Sequence, residues 1–108
     1  MNTRVNKSDP FFPIHPGEIV KDEIEYRGIK QRDLAAKMGI SHSQLNEILN
    51  GKRQVNTEIA LLFEAALGIE PVTLINMQTG YNMQTARQDI NLTRRLDAIR
   101  ELYASSLL

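Results

Sequence analysis

The 108 residues include no cysteine, so neither disulfides nor thiolate metal sites are available to the chain. No run of about 18 apolar residues occurs, which argues against a transmembrane helix. The N-terminal stretch MNTRVNKSDPFFPIHP lacks the apolar core of a signal peptide. These absences lead us to expect a cytoplasmic protein with no membrane association. Histidine is scarce too: His15 and His42 are the only two. No further ligands stand at a suitable spacing from either, so no metal site is expected. There is no phosphate-binding glycine loop, no nucleophile elbow and no paired-histidine metalloprotease motif. No carboxylate pair lies in an apolar setting that would raise a pKa. The chain therefore reads as a non-enzyme without cofactors.

An excess of one charge is also missing. Thirteen Lys and Arg balance 13 Asp and Glu, for a formal net charge of zero. DNA-binding domains are usually basic, so the sum counts against that function. The distribution counts for it. Arg27, Lys30, Arg32, Lys37, Lys52 and Arg53 gather around one segment, opposed there only by Asp33 and Glu47. A locally basic face on a neutral chain is compatible with nucleic acid.

What is present is enough apolar residue, 42%, to build one modest core. The spacing predicts helices and no strands. Pro16 suits a first helical position and Glu18 the positive end of a first helix, which would run to about Tyr26 with Ile19, Val20, Ile24 and Tyr26 facing inward. Gly28 would close it. Two short helices follow, about Gln31–Met38 and His42–Asn50, with a tight turn at Gly39. Leu34, Ala35 and Met38 share one face of the former, and Leu45, Ile48 and Leu49 one face of the latter. Ser41 with Gln44 three residues on is a capping-box pattern. A fourth helix starts after Asn56 or Thr57 and runs to Leu67, with Gly68 as its cap. Pro71 opens a fifth, which reaches at least Thr79 and either stops at Gly80 or continues through it to about Arg87. A sixth covers about Asn91–Leu107. Its Leu92, Leu96, Ile99 and Tyr103 form a narrow 4-3-4 stripe that suits either core packing or a partner. We expect an arm at residues 1–13, a domain at 14–88, and at 89–108 a C-terminal helix for dimer, partner or intramolecular packing.

Two short helices around a glycine turn make a helix-turn-helix, whose second helix lies in the DNA major groove. The N-terminal end of that helix carries Ser41, His42, Ser43 and Gln44, with Asn46 and Glu47 one turn on. These side chains can hydrogen-bond base edges or phosphates, or form a solvated polar face. Lys52 and Arg53 just after the helix, and Gln31 and Arg32 at the start of the preceding one, suit phosphate contact. Lys30 stands at an N-cap where Ser or Thr is usual. Glu47 either accepts from a cytosine amino group or turns sideways to a base such as Arg53. His15 reads as a turn or capping residue.

The stretch QRDLAAKMGISHSQLNEILNGKR resembles the Cro/C1-type (XRE, lambda-repressor-like) helix-turn-helix. The flanks HPGEIVKDEIEYRGI and NTEIALLFEAALGIEPVTLINMQTGYNM resemble the HigA antitoxins, with residues 14–87 covered. The resemblance implies an all-α, five-helix DNA-binding domain with an added C-terminal helix, acting as a homodimeric repressor of its own operon on double-stranded operator DNA. It also implies a partner, a HigB-like toxin that cleaves mRNA on the ribosome. It carries base-reading roles to Ser41, His42, Ser43 and Asn46, and phosphate roles to Gln31, Lys52 and Arg53. Family members often have a basic residue where Glu47 stands and Ser or Thr where Lys30 stands. Two alternatives remain at this point: a stand-alone regulator without a toxin, and a toxin-binding module with little DNA affinity.

Overall fold

The computed structural model describes residues 13–106; the arm expected at 1–13 lies almost wholly outside them. Six helices follow in order: α1 (Pro16–Tyr26), α2 (Gln31–Met38), α3 (His42–Leu49), α4 (Thr57–Leu67), α5 (Pro71–Arg87) and α6 (Ile90–Ser106). No strand occurs among the described residues.

Local chemistry sets the helix ends. His15, Ser41, Asn56 and Glu70 each accept a backbone N–H from the first turn of the helix that follows. Pro16 and Pro71 open α1 and α5, where no intrahelical donor is needed. Lys30 makes no side-chain cap for α2. Asp89 Oδ1 accepts from the N–H groups of Asn91 (2.9 Å) and Leu92 (3.2 Å), which starts α6 at Ile90. At the other end of α2, Gly39 has φ 73°. Its N–H donates to Ala36 O and that of Ile40 to Ala35 O, the paired closure of a left-handed C-terminal cap. The chain thus reverses in three residues, Gly39 to Ser41, and α3 begins.

The buried core draws on α1 to α5. Val20 and Ile24 come from α1, Leu34, Ala35 and Met38 from α2, and Leu45, Ile48 and Leu49 from α3. Val55 precedes α4, which adds Ile59, Ala60, Phe63 and Leu67, and Leu74 closes the set from α5. α1 packs on α3 and α5, α2 on α3 and α4, and α4 on α5. The inward stripe of α1 is Gly17, Val20 and Ile24, spaced three and four apart. Ile19 and Tyr26 fall off that stripe and are 44% and 89% exposed, against the expectation that they face inward.

α6 adds no buried residue among those described and packs along α5. Leu92 and Leu96 are half-buried, while Ile99 and Tyr103 are exposed. Its stripe is therefore divided, with the first half on its own chain and the second half facing out. Gly80 does not interrupt α5, which runs through to Arg87.

Candidate nucleic-acid interface

α3 is held by one side. Leu45, Ile48 and Leu49 are buried, and Ser41, His42, Ser43, Asn46 and Asn50 are exposed on the other side. Gln44 and Glu47 are half-buried at its margin. Ser43 and Glu47 stand one turn apart, and Asn46 and Asn50 one turn apart beside them, so the outward surface is polar along its length. Ser41 Oγ accepts the Gln44 backbone N–H at 2.9 Å, half of the capping box that the sequence suggests.

Side chains tie this surface to its neighbours. Asn46 Nδ2 donates to Gln31 Oε1 at 3.2 Å, joining α3 to the first residue of α2. The bond uses the carbonyl end of Gln31, so its amide hydrogens stay available as donors. Asn50 is placed twice: its Nδ2 donates to Asn46 O, and its Oδ1 accepts from Lys21 Nζ. Arg32 and Lys52 are exposed, and no ion pair among the described residues engages either. Arg53 differs. Its Nε and Nη2 donate to Glu47 Oε1 at 2.9 and 2.7 Å, so the guanidinium lies against the recognition-helix carboxylate. Of the two sequence readings of Glu47, the free structure takes the sideways one. Arg27, counted in the basic cluster, is held by Glu23.

The segment after α3 is fixed from below. Gln78 on α5 is buried; its Oε1 accepts the Val55 N–H at 2.8 Å, and its Nε2 donates to Asn82. Asn82 in turn donates to Gln54. This chain of amides follows Lys52 and Arg53 directly, and the sequence reading passed over it. The available signal was Gln78 and Asn82 at i and i+4, facing an otherwise apolar side. Asn50, assigned beforehand only to the helix end, likewise shares the Asn46 side.

His15 is the second anchor. It is buried, its Nδ1 accepts the Gly17 N–H at 2.9 Å, and its ring meets Tyr81 of α5 edge-on at 5.0 Å. A Cβ added at Gly51, just past the end of α3, would lie 3.5 Å from the His15 ring. His15 therefore joins α1, the exit of the recognition helix and α5. Burial holds its imidazole below the ordinary value of 6.5, against opposing pulls from the Arg53 backbone and the Glu18 carboxylate. With the folded-state pKa depressed, the stabilising contribution is whole above 6.5 and is lost as pH falls below it, because the unfolded chain takes the proton first. Protonation at Nδ1 also removes the acceptor for Gly17. We expect the thermal midpoint of the parent to drop more between about pH 7.5 and 5.5 than that of His15→Asn, which retains a capping acceptor but does not titrate. Equal drops would remove His15 as the source.

Among the described residues, no group of three or more His, Cys, Asp or Glu could hold a metal ion. No helix among them is long and apolar enough to cross a membrane.

A family model described as helix-turn-helix matches residues 20–74. Virulence-associated protein I of Dichelobacter nodosus is 35% identical over 77 residues, which cover 70% of this chain and 71% of that protein. The fold is similar to an addiction module antidote protein of the HigA family from Coxiella burnetii, with a TM-score of 0.69 and 28% identity. That match covers 80% of this chain and 92% of the other. It is also similar to the Pseudomonas aeruginosa antitoxin HigA solved with the higBA promoter, with a TM-score of 0.66 and 28% identity over 70% of this chain and 84% of that one.

Proposed function

The chain belongs to the helix-turn-helix family and has the fold of the HigA antitoxins, and from that premise we propose that it is a sequence-specific repressor acting as the antitoxin of a toxin–antitoxin pair. The observation that carries this reading is the outward side of α3. It is polar along its length, anchored to α2 through Asn46 and Gln31, and flanked by two cations without ion-pair partners among the described residues, Arg32 and Lys52. The neighbour from Pseudomonas aeruginosa supports it, since it was solved on promoter DNA.

In this reading α3 enters the major groove by its N-terminal end. Ser41, His42 and Ser43 meet base edges, and Asn46 offers an amide whose acceptor and second donor suit adenine. Gln44 serves its own helix start at the same rim. Gln31 and Arg32 meet the phosphates on one side, and Lys52 with Arg53 those on the other. Two protomers would set their recognition helices about 34 Å apart on successive turns of a palindromic operator. The outward half of the α6 stripe, Ile99 and Tyr103, with Leu92 and Leu96 behind it, is the surface we assign to the second copy. The toxin would be a HigB-like mRNA endonuclease encoded beside this chain, and the pair would repress their own operon.

The test is a salt series with Lys52→Ala. Removing one phosphate contact should weaken binding to every DNA sequence and lower the slope of log K against log salt by about one. An unchanged slope would contradict the docking. The same titration counts protomers per site, and an Ile99→Glu variant that keeps two would take α6 out of the dimer interface.

A further inference from the structure

The eight residues of α3, HSQLNEIL, include no Lys or Arg. Its one carboxylate is Glu47, one turn from Ser43 at the margin of the polar surface. Its carboxylate does not stand alone: Arg53 gives it two hydrogen bonds on one oxygen, with both side chains about half exposed to solvent. One of the cations flanking the recognition helix is thus neutralised by the helix itself. Binding to arbitrary DNA is almost wholly a matter of phosphate charge and counterion release. A protein that masks a cation beside the groove and sets a carboxylate near it gives up part of that sequence-independent attraction. It keeps the hydrogen-bonding side chains that discriminate.

We propose that Glu47 is a specificity-determining residue that acts by charge: on non-operator DNA it keeps Arg53 in the internal ion pair, and only docking on the operator hands the guanidinium to a phosphate. The proposal rests on the DNA-binding reading above. Discrimination depends on the ratio of operator to non-operator affinity, and that ratio rises when non-operator binding falls. Glu47 is a positioning residue here, since it reaches DNA through the guanidinium it occupies. The chain's zero net charge works in the same direction.

Four proteins are titrated with an operator fragment and a scrambled fragment across a salt series: the parent, Glu47→Gln, Arg53→Ala and the double variant. Glu47→Gln should bind scrambled DNA about three- to tenfold more tightly, with a salt slope steeper by about one, because Arg53 is released to a phosphate. Its operator-to-scrambled ratio should fall. In the Arg53→Ala background the same change should leave the slope unaltered, which a merely structural role for Glu47 would not produce. A Glu47→Gln variant that loses operator affinity while its scrambled binding stays put would overturn the proposal and assign Glu47 to direct base contact. A steeper slope that persists without Arg53 would overturn it as well. A parent that binds neither fragment in a salt-dependent way would instead bring down the DNA-binding reading itself.

Discussion

Gly17→Ala should destabilise the fold by about 3 kcal/mol, although alanine is intrinsically the better helix former by about 1 kcal/mol. Gly17 is buried in the first turn of α1, where the helix crosses the end of α3. A methyl group there would collide with the Ile48 carbonyl oxygen, and would lie 2.9 Å from the Ile48 carbonyl carbon and 3.0 Å from His15 Nδ1. The obstacle is backbone, so no rotamer change relieves it. α1 and α3 must move apart, which opens the packing of Val20 and Ile24 against Leu45, Ile48 and Leu49. The move also strains the His15 cap. For a domain of this size the thermal midpoint should fall by some 12 to 24 °C. Urea unfolding of the variant beside the parent checks this, and a midpoint equal to or above the parent's would show that α1 and α3 are not in that close contact.

The second large effect concerns recognition rather than stability. His42→Ala with Ser43→Ala should reduce the preference for operator over scrambled DNA by about a hundredfold, because a side chain that reads a base edge discriminates by about 1–3 kcal/mol. Both side chains are exposed at the start of α3, and Ser41, which caps the helix, is left in place. Stability should therefore stay within about 0.5 kcal/mol of the parent. Binding to scrambled DNA should hold, since the residues assigned to phosphate contact, Gln31, Arg32, Lys52 and Arg53, are untouched. An unchanged ratio would move the reading surface away from the N-terminal end of α3.

Much of this architecture could be read from residue patterns, for identifiable reasons. The α2–α3 unit is written locally: apolar residues three and four apart, a glycine where φ must be positive, and Ser41 three residues before Gln44. Such signals depend on neighbours in sequence, so Gly39, Ser41 and the helix bounds around them were legible. Contacts across the fold were not. The flank HPGEIVKDEIEYRGI carries the resemblance to the HigA antitoxins but does not say that Gly17 is a point where α1 touches α3, or that His15 packs on Tyr81, 66 positions away. Tyr26 looked apolar enough to face inward, yet helix phase sets it opposite Val20 and Ile24. Glu47 was legible as a choice between a base edge and Arg53, and geometry was needed to find it on Arg53. For α6 the spacing gave the helix and its stripe, but only packing on α5 divides that stripe into a covered half and an outward half.

The DNA immediately upstream of the protein's own operon offers the most direct test that α3 reads an operator. A labelled fragment is titrated by fluorescence anisotropy at two salt concentrations beside a scrambled fragment of equal length. The account predicts binding that prefers the upstream fragment, weakens with salt and saturates at two protomers per site. Equal binding to both fragments at both salt concentrations would contradict it, and would leave the helix-turn-helix of this chain as a surface for protein rather than for DNA.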